Sequence, residues 1–196
     1  VYINMSMNNN FDKVNLTITL VSYKCDKKKL NSCLNSIKIK TDVILIDHSN
    51  DLNLKDITVP NNIFLKIIKN ENLGNGAGIN CGIKNAKTKY VLYLDIDTIL
   101  PENFFSVLNH TINKVGDFAV LAPKINNFYN NKKIEKYGNL SFLKFYYNKL
   151  FFNINRDKSL IENLKQVFFV SGAIMLINKE LTLKNNIQFD ENIFLY

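Results

Sequence analysis

The sequence has no tryptophan, three prolines, seven glycines, three cysteines and a single arginine among 196 residues. With so little proline and glycine, no stretch reads as a flexible linker, and no internal repeat is visible. The length then suits one domain, or one domain and part of a second. Cys25, Cys33 and Cys81 cannot all pair and show no CxxC spacing. That argues against a disulfide scaffold or a structural zinc site and for a reducing compartment. No apolar run approaches the roughly 18 residues needed to span a bilayer. The N-terminus lacks the basic and apolar regions of a signal peptide, so the expected location is cytoplasmic. Arg156 stands alone as a guanidinium, whereas readers of nucleic acid generally rely on arginine forks. Nucleic acid is therefore not an expected partner.

What is present is a substantial apolar content, 46% hydrophobic and 12% aromatic, which excludes a wholly disordered chain. The net charge is +8, from 25 basic and 17 acidic residues, almost all of the basic ones lysine. Such a surplus would suit an anionic membrane surface, including peripheral association at the cytoplasmic face of the inner membrane, or a phosphorylated substrate. Abundant Lys, Asn and Ile also follow from AT-rich coding.

The hydrophobic pattern alternates strand and helix up to residue 123. Residues 1–14 are Asn-rich and read as a loose tail. Residues 16–23 (LTITLVSY) have strand character. Asp26 can cap a helix in which Leu30, Cys33, Leu34 and Ile37 recur at helical spacing, making Cys33 a core residue. Residues 43–47 (VILID), 63–68 and 90–94 (YVLYL) are three further strands. A second helix follows the glycine-rich segment at 74–78. Pro101 suits the first turn of a third helix, with Phe105, Leu108, Ile112 and Val115 on its buried face. Residues 118–122 make a fifth strand. This order predicts an α/β domain with a mostly parallel central sheet and helices on both faces. After Pro123 the pattern loosens. A turn signal stands at Gly138 and an aromatic stretch at 142–152, and strand character returns at 167–170 and 174–177.

Open α/β sheets bind ligands at the carboxyl ends of their strands. Three of those ends are polar here: Ser22-Tyr23, Asp47-His48-Ser49 and Asp95-Ile96-Asp97. Two carboxylates at the mouth of a buried strand are costly without counter-charge, and a divalent cation shared with substrate phosphates would offset that cost. Segment 74–78 matches neither GxGxxG nor a P-loop. It is either a tight strand-to-helix turn or a place where the backbone approaches an anion at a helix N-terminus. Asp47 can accept hydrogen bonds from a ligand or cap its own turn. His48 and His110 have no metal-ligand pattern around them and read as surface residues.

The ordered set VSYK, LIDHSND, ENLGNGAGIN, YLDIDT, FVSGAIMLINKE and FDENIFLY resembles the family 2 glycosyltransferases of the GT-A fold. Within them it is similar to the rhamnosyltransferase-like branch that builds surface polysaccharides. The likeness runs from Leu16 to Tyr196. It implies a Rossmann-like GT-A domain over 15–196, with a nucleotide-binding half at 15–123 and an incomplete acceptor-side half at 124–196. It further implies transfer of a sugar from a UDP- or dTDP-sugar to a saccharide or lipid-linked acceptor, with inversion and with Mg²⁺ or Mn²⁺. Ser22 and Tyr23 would contact the nucleotide, Asp47 the base, and Asn72, Gly74 and Asn80 would line the donor pocket. Asp95 and Asp97 would form the DxD element, Asp97 holding the metal and Asp95 the metal or ribose. Ser171, Gly172 and Ala173 would lie near sugar and acceptor. The family's carboxylate base follows its FDExFFLY stretch, which places it beyond Tyr196. Asp190 and Glu191 belong to the preceding stretch. Two other readings fit some of these residues: a truncated, non-catalytic nucleotide binder, and a haloacid-dehalogenase-type phosphatase using Asp95.

Overall fold

The computed structural model describes residues 15–123, 125–127, 130–134 and 170–194. Expectations for the tail at 1–14, the Gly138 turn, the stretch 142–152 and residues 167–169 fall outside them. β1 (Leu16–Ser22) lies inside the sheet because nearly every side chain along it is buried. It is flanked by β2 (Thr41–Asp47) and β4 (Tyr90–Asp95), with β3 (Ile63–Lys69) outside β2. All four run parallel. The second half adds β5 (Val120–Leu121) and β8 (Ile174–Asn178), giving the order β3-β2-β1-β4-β8-β5 with β8 antiparallel to both neighbours. A separate pair, β6 (Asn126–Asn127) and β7 (Asn130–Ile134), was not foreseen. The expected α/β sheet is therefore mixed but mostly parallel.

Strand alternation divides the core between the two faces. Ile18, Leu20, Leu92, Leu94, Ile174 and Leu176 face α1 (Lys27–Ser36) and α3 (Phe104–Val115), meeting Leu30, Cys33, Leu34 and Phe105. Ile44, Ile46, Val91, Tyr93, Met175 and Ile177 face α2 (Asn75–Asn85), meeting Ile79 and Ile83. Asp26 caps α1, its carboxylate accepting from the backbone of Lys28 and Lys29 at 2.9 and 3.3 Å. A short α4 (Lys179–Lys184) follows β8, with the Asn178 side chain accepting from Leu181 N at 3.1 Å.

Three local expectations are corrected. Pro101 is not in the first turn of α3, which begins at Phe104; it forms a preceding turn in which Phe104 N donates to the Pro101 carbonyl. The fifth strand keeps only Val120–Leu121, since it pairs with β8 over just two residues. Val170 carries no strand pairing, and β8 begins at Ile174.

Candidate functional site

Strand register gathers the polar ends. Ser22 pairs with Asp47, and Val21 pairs with both Ile46 and Asp95, so β1, β2 and β4 finish at one level. Asp47 is fully buried. Its Oδ1 accepts from Ser49 N and Ser49 Oγ, both at 3.1 Å, and its Oδ2 from Leu52 N at 2.9 Å. This carboxylate shapes the loop after β2, the turn-capping alternative that its sequence position allows. Ser22 is enclosed, whereas Tyr23 is more than half exposed with Lys24 against its ring.

His48 corrects the sequence reading: it is buried at 5% exposure, while His110 is at the surface as expected. The reason lies across the space, in Gly78. A Cβ there would stand 2.7 Å from a Val21 methyl and 3.0 Å from His48 Cε1, so the missing side chain makes room for the imidazole under α2. Burial lowers the His48 pKa, with the Asn72 side chain and Asp47 acting in the opposite sense.

Gly74 stands at the N-cap of α2 with φ +99°, and no side chain caps the helix. The positive φ is open to glycine without strain. A Cβ would also meet the Phe194 carbonyl oxygen at 2.5 Å, because the C-terminal segment crosses here. Asn72 Oδ1 accepts from Gly74 N at 3.3 Å. Asn80 faces that same segment: its Oδ1 accepts from Phe189 N at 3.1 Å, and its Nδ2 donates to Phe189 O and Glu191 Oε1, both at 2.9 Å.

At the end of β4, Asp95 is half-buried and held on several sides. Its N donates to Ala173 O at 2.9 Å, and its carbonyl accepts from Thr98 N at 3.0 Å and from the Cys33 thiol at 3.7 Å. Tyr93, fully buried on the same strand face, places its hydroxyl 2.6 Å from Asp95 Oδ1 and 3.0 Å from Asn75 Oδ1. Burial raises the Asp95 pKa, Tyr93 opposes that rise, and Asp97 adds to it. Cys33 is core, as its spacing predicts, and burial pushes its thiol up to about 12. Asp97 is exposed and sits 3.6 Å from Lys29 Nζ. Ser171, Gly172 and Ala173 run beside this pair, joined to it through Ala173 O; Thr98 Oγ1 donates to the same carbonyl at 3.3 Å. Gly172 is exposed, and among the described residues nothing lies within 4 Å of where a Cβ would be.

The structure therefore brings Ser22, Asp47, Gly74, Asp95, Asp97 and the 171–173 turn to one end of the sheet. It turns Asn80 to the C-terminal segment and Tyr23 to solvent. Sequence reasoning missed Tyr93, Asn75 and Lys29. For Tyr93 a signal existed, since residues two apart on a strand share a face. Among the described residues no group of three or more His, Cys, Asp or Glu forms a ready-made metal cage. The donor set nonetheless fits Mg²⁺ or Mn²⁺ held by one or two carboxylates and completed by substrate phosphates. The penalty on charge at Asp95, increased by Asp97, is what such a cation would relieve.

A family model described as glycosyl transferase family 2 matches residues 17–184. A search among curated protein sequences finds no match. Among solved structures, S. aureus TarS 1–349 superposes with a TM-score of 0.60 at 18% identity, covering 90% of this chain and 50% of that one. Its complex with UDP-GlcNAc gives 0.57 at 17% identity, covering 91% and 49%. The mannosyltransferase PcManGT from Pyrobaculum calidifontis, in complex with GDP-Man and Mn²⁺, gives 0.54 at 12% identity, covering 91% and 48%. The chain thus spans about half the length of these solved structures, and at such identities they speak for the fold. The mostly parallel sheet is that of the GT-A fold. By the family model, which covers most of its length, the chain belongs to glycosyl transferase family 2.

Proposed function

We propose that this domain transfers a sugar from a nucleotide-diphosphate sugar to a saccharide or lipid-linked acceptor, with divalent-metal assistance and inversion at the anomeric carbon. The observation that carries this reading is the Asp95–Asp97 pair at the mouth of β4, with Asp95 linked through Tyr93 to Asn75 at the start of α2, which no side chain caps. An uncapped helix N-terminus attracts phosphate through its free N–H groups and its dipole. Relatives of the same fold have been crystallised with UDP-GlcNAc, UDP, and GDP-Man with Mn²⁺, which supports a nucleotide-sugar donor. The rhamnosyltransferase-like motif order favours an acceptor used in surface polysaccharide synthesis.

In this reading the loop held by Asp47 and the end of β1 at Ser22 flank the base and ribose. Asp95 and Asp97 serve the diphosphate, and the exposed turn at Gly172 beside them serves the sugar. When bound, the divalent cation supplies Lewis-acid neutralisation of the departing diphosphate. The ion pair between Lys29 and Asp97 is more than half exposed on both sides and is worth little, so it yields readily to a stronger cation. No helix among the described residues is long and apolar enough to cross a membrane. The lysine-rich surface would serve peripheral contact with anionic lipid.

Calorimetric titration with UDP and dTDP, with and without Mn²⁺, tests the donor assignment. Binding of one nucleotide should be strengthened by metal, and Asp97→Ala should remove that strengthening. Binding indifferent to both metal and Asp97→Ala would sink the reading.

A further inference from the structure

Tyr93 opens the YLDIDT motif without a role in the donor reading, yet it is fully buried and its hydroxyl is tied at the site. Its ring is sealed on the α2 face of the sheet among Ile79, Met175 and Ile177. Only its hydroxyl meets polar atoms, Asp95 Oδ1 at 2.6 Å and Asn75 Oδ1 at 3.0 Å. A phenol has a single proton, so it cannot donate to both. The nearer acceptor, a carboxylate, takes the stronger charge-assisted bond. Turning the Asn75 amide by half, which exchanges near-identical O and N positions, lets it donate to the phenol oxygen. The result is a directed chain from the first residue of α2, through Tyr93, to Asp95. Together with Ala173 O, Thr98 N and the Cys33 thiol, it engages the amide, the carbonyl and one carboxylate oxygen of Asp95. Among the described residues Asp95 Oδ2 receives no hydrogen bond.

We propose that Tyr93 is a positioning residue: by holding Oδ1 it turns Asp95 Oδ2 toward the diphosphate of a nucleotide donor and locks that carboxylate to the start of α2. The inference rests on the donor reading above and adds to it a role for Tyr93, the residue that opens the YLDIDT motif and to which that reading gives no contact with ligand. It makes a selective prediction. A bond to a charged group that is lost from Asp95 alone should weaken contacts to the diphosphate and spare the base and ribose.

The test titrates the full chain with UDP and with UMP in Mn²⁺, taking dTDP and dTMP instead if thymine is the preferred base. Tyr93→Phe keeps the ring and should weaken the diphosphate about tenfold, the size expected for a hydrogen bond to an ionised group. The monophosphate should weaken less than twofold. Asp95→Asn should show the same selectivity. Asn75→Ala, outside the buried ring packing, should do so to a lesser degree and serves if Tyr93→Phe unfolds. Equal weakening of both nucleotides, no weakening at all, or an Asp95→Asn variant lacking the selectivity overturns the proposal while the donor reading stands. A wild-type chain that binds neither nucleotide overturns both.

Discussion

Strands β1 and β4 of the parallel block and the segment 187–194 reach the same site by different physics. β1 and β4 approach it from inside the sheet, where Ile18, Leu20, Leu92 and Leu94 are fully removed from water. The C-terminal segment crosses from outside, over the first turns of α2, and exposes Ile187, Ile193 and Phe194 by about half. It is held by the Asn80 carboxamide, by close backbone contact with Gly74, and by Phe189 resting against the cluster around Tyr93. Asp95 thus ends a deeply buried strand and Asp97 stands in the exposed turn after it, while the wall beside them lies nearer the surface.

Perturbing one region at a time would sharpen or break that contrast. Leu92→Ala should give the largest effect, about 3 kcal/mol of global stability, from lost burial and an unfilled cavity. Urea denaturation measures it, and hydrogen exchange should quicken throughout the sheet. Asn80→Ala should cost about 1 kcal/mol or less, since its partners lie partly in solvent and can turn to water. Exchange should then quicken at the Phe189 amide and leave that of Leu92 unchanged. If both variants loosened both regions alike, the two regions would be a single cooperative unit.

The smallest effect concerns pH. Burial lowers the His48 pKa in the fold, so below about 6.5, its ordinary value, the unfolded chain binds the extra proton. The His48 contribution is full above that value and is lost as pH falls through the lower folded pKa. The urea midpoint of the wild type should therefore fall more between pH 7.5 and pH 5.5 than that of His48→Gln. Equal falls would show that the ring is not buried in its neutral form.

What the sequence revealed and what it hid divide along the same line. β1 was legible by its β-branched residues, and β2 and β4 as continuous apolar runs, as strands covered on both faces are. Their ends were legible because a carboxylate after such a run needs a reason. Asp26 was legible because capping is local. His48 was not, since the space that buries it is created by Gly78, thirty residues away in the sequence. Asn80 was read from a motif as part of the donor pocket, and nothing near it in the chain discloses that its partners are Phe189 and Glu191. Pro101 carried a true turn signal, but the turn lies before the helix, which begins three residues later at Phe104.

The bond between Asn80 and Phe189 joins residues 109 positions apart. It also carries a consequence for the order in which the molecule is assembled. Pairings such as β1 with β2 close short loops, whereas this one must wait until β4 and β8 have aligned across the whole intervening chain. Closing a loop of that length costs entropy before any contact rewards it. Loop-closure entropy alone would then favour seating this segment after the nearer strand pairs have formed, an order that φ-values at Asn80 and Leu20 would test.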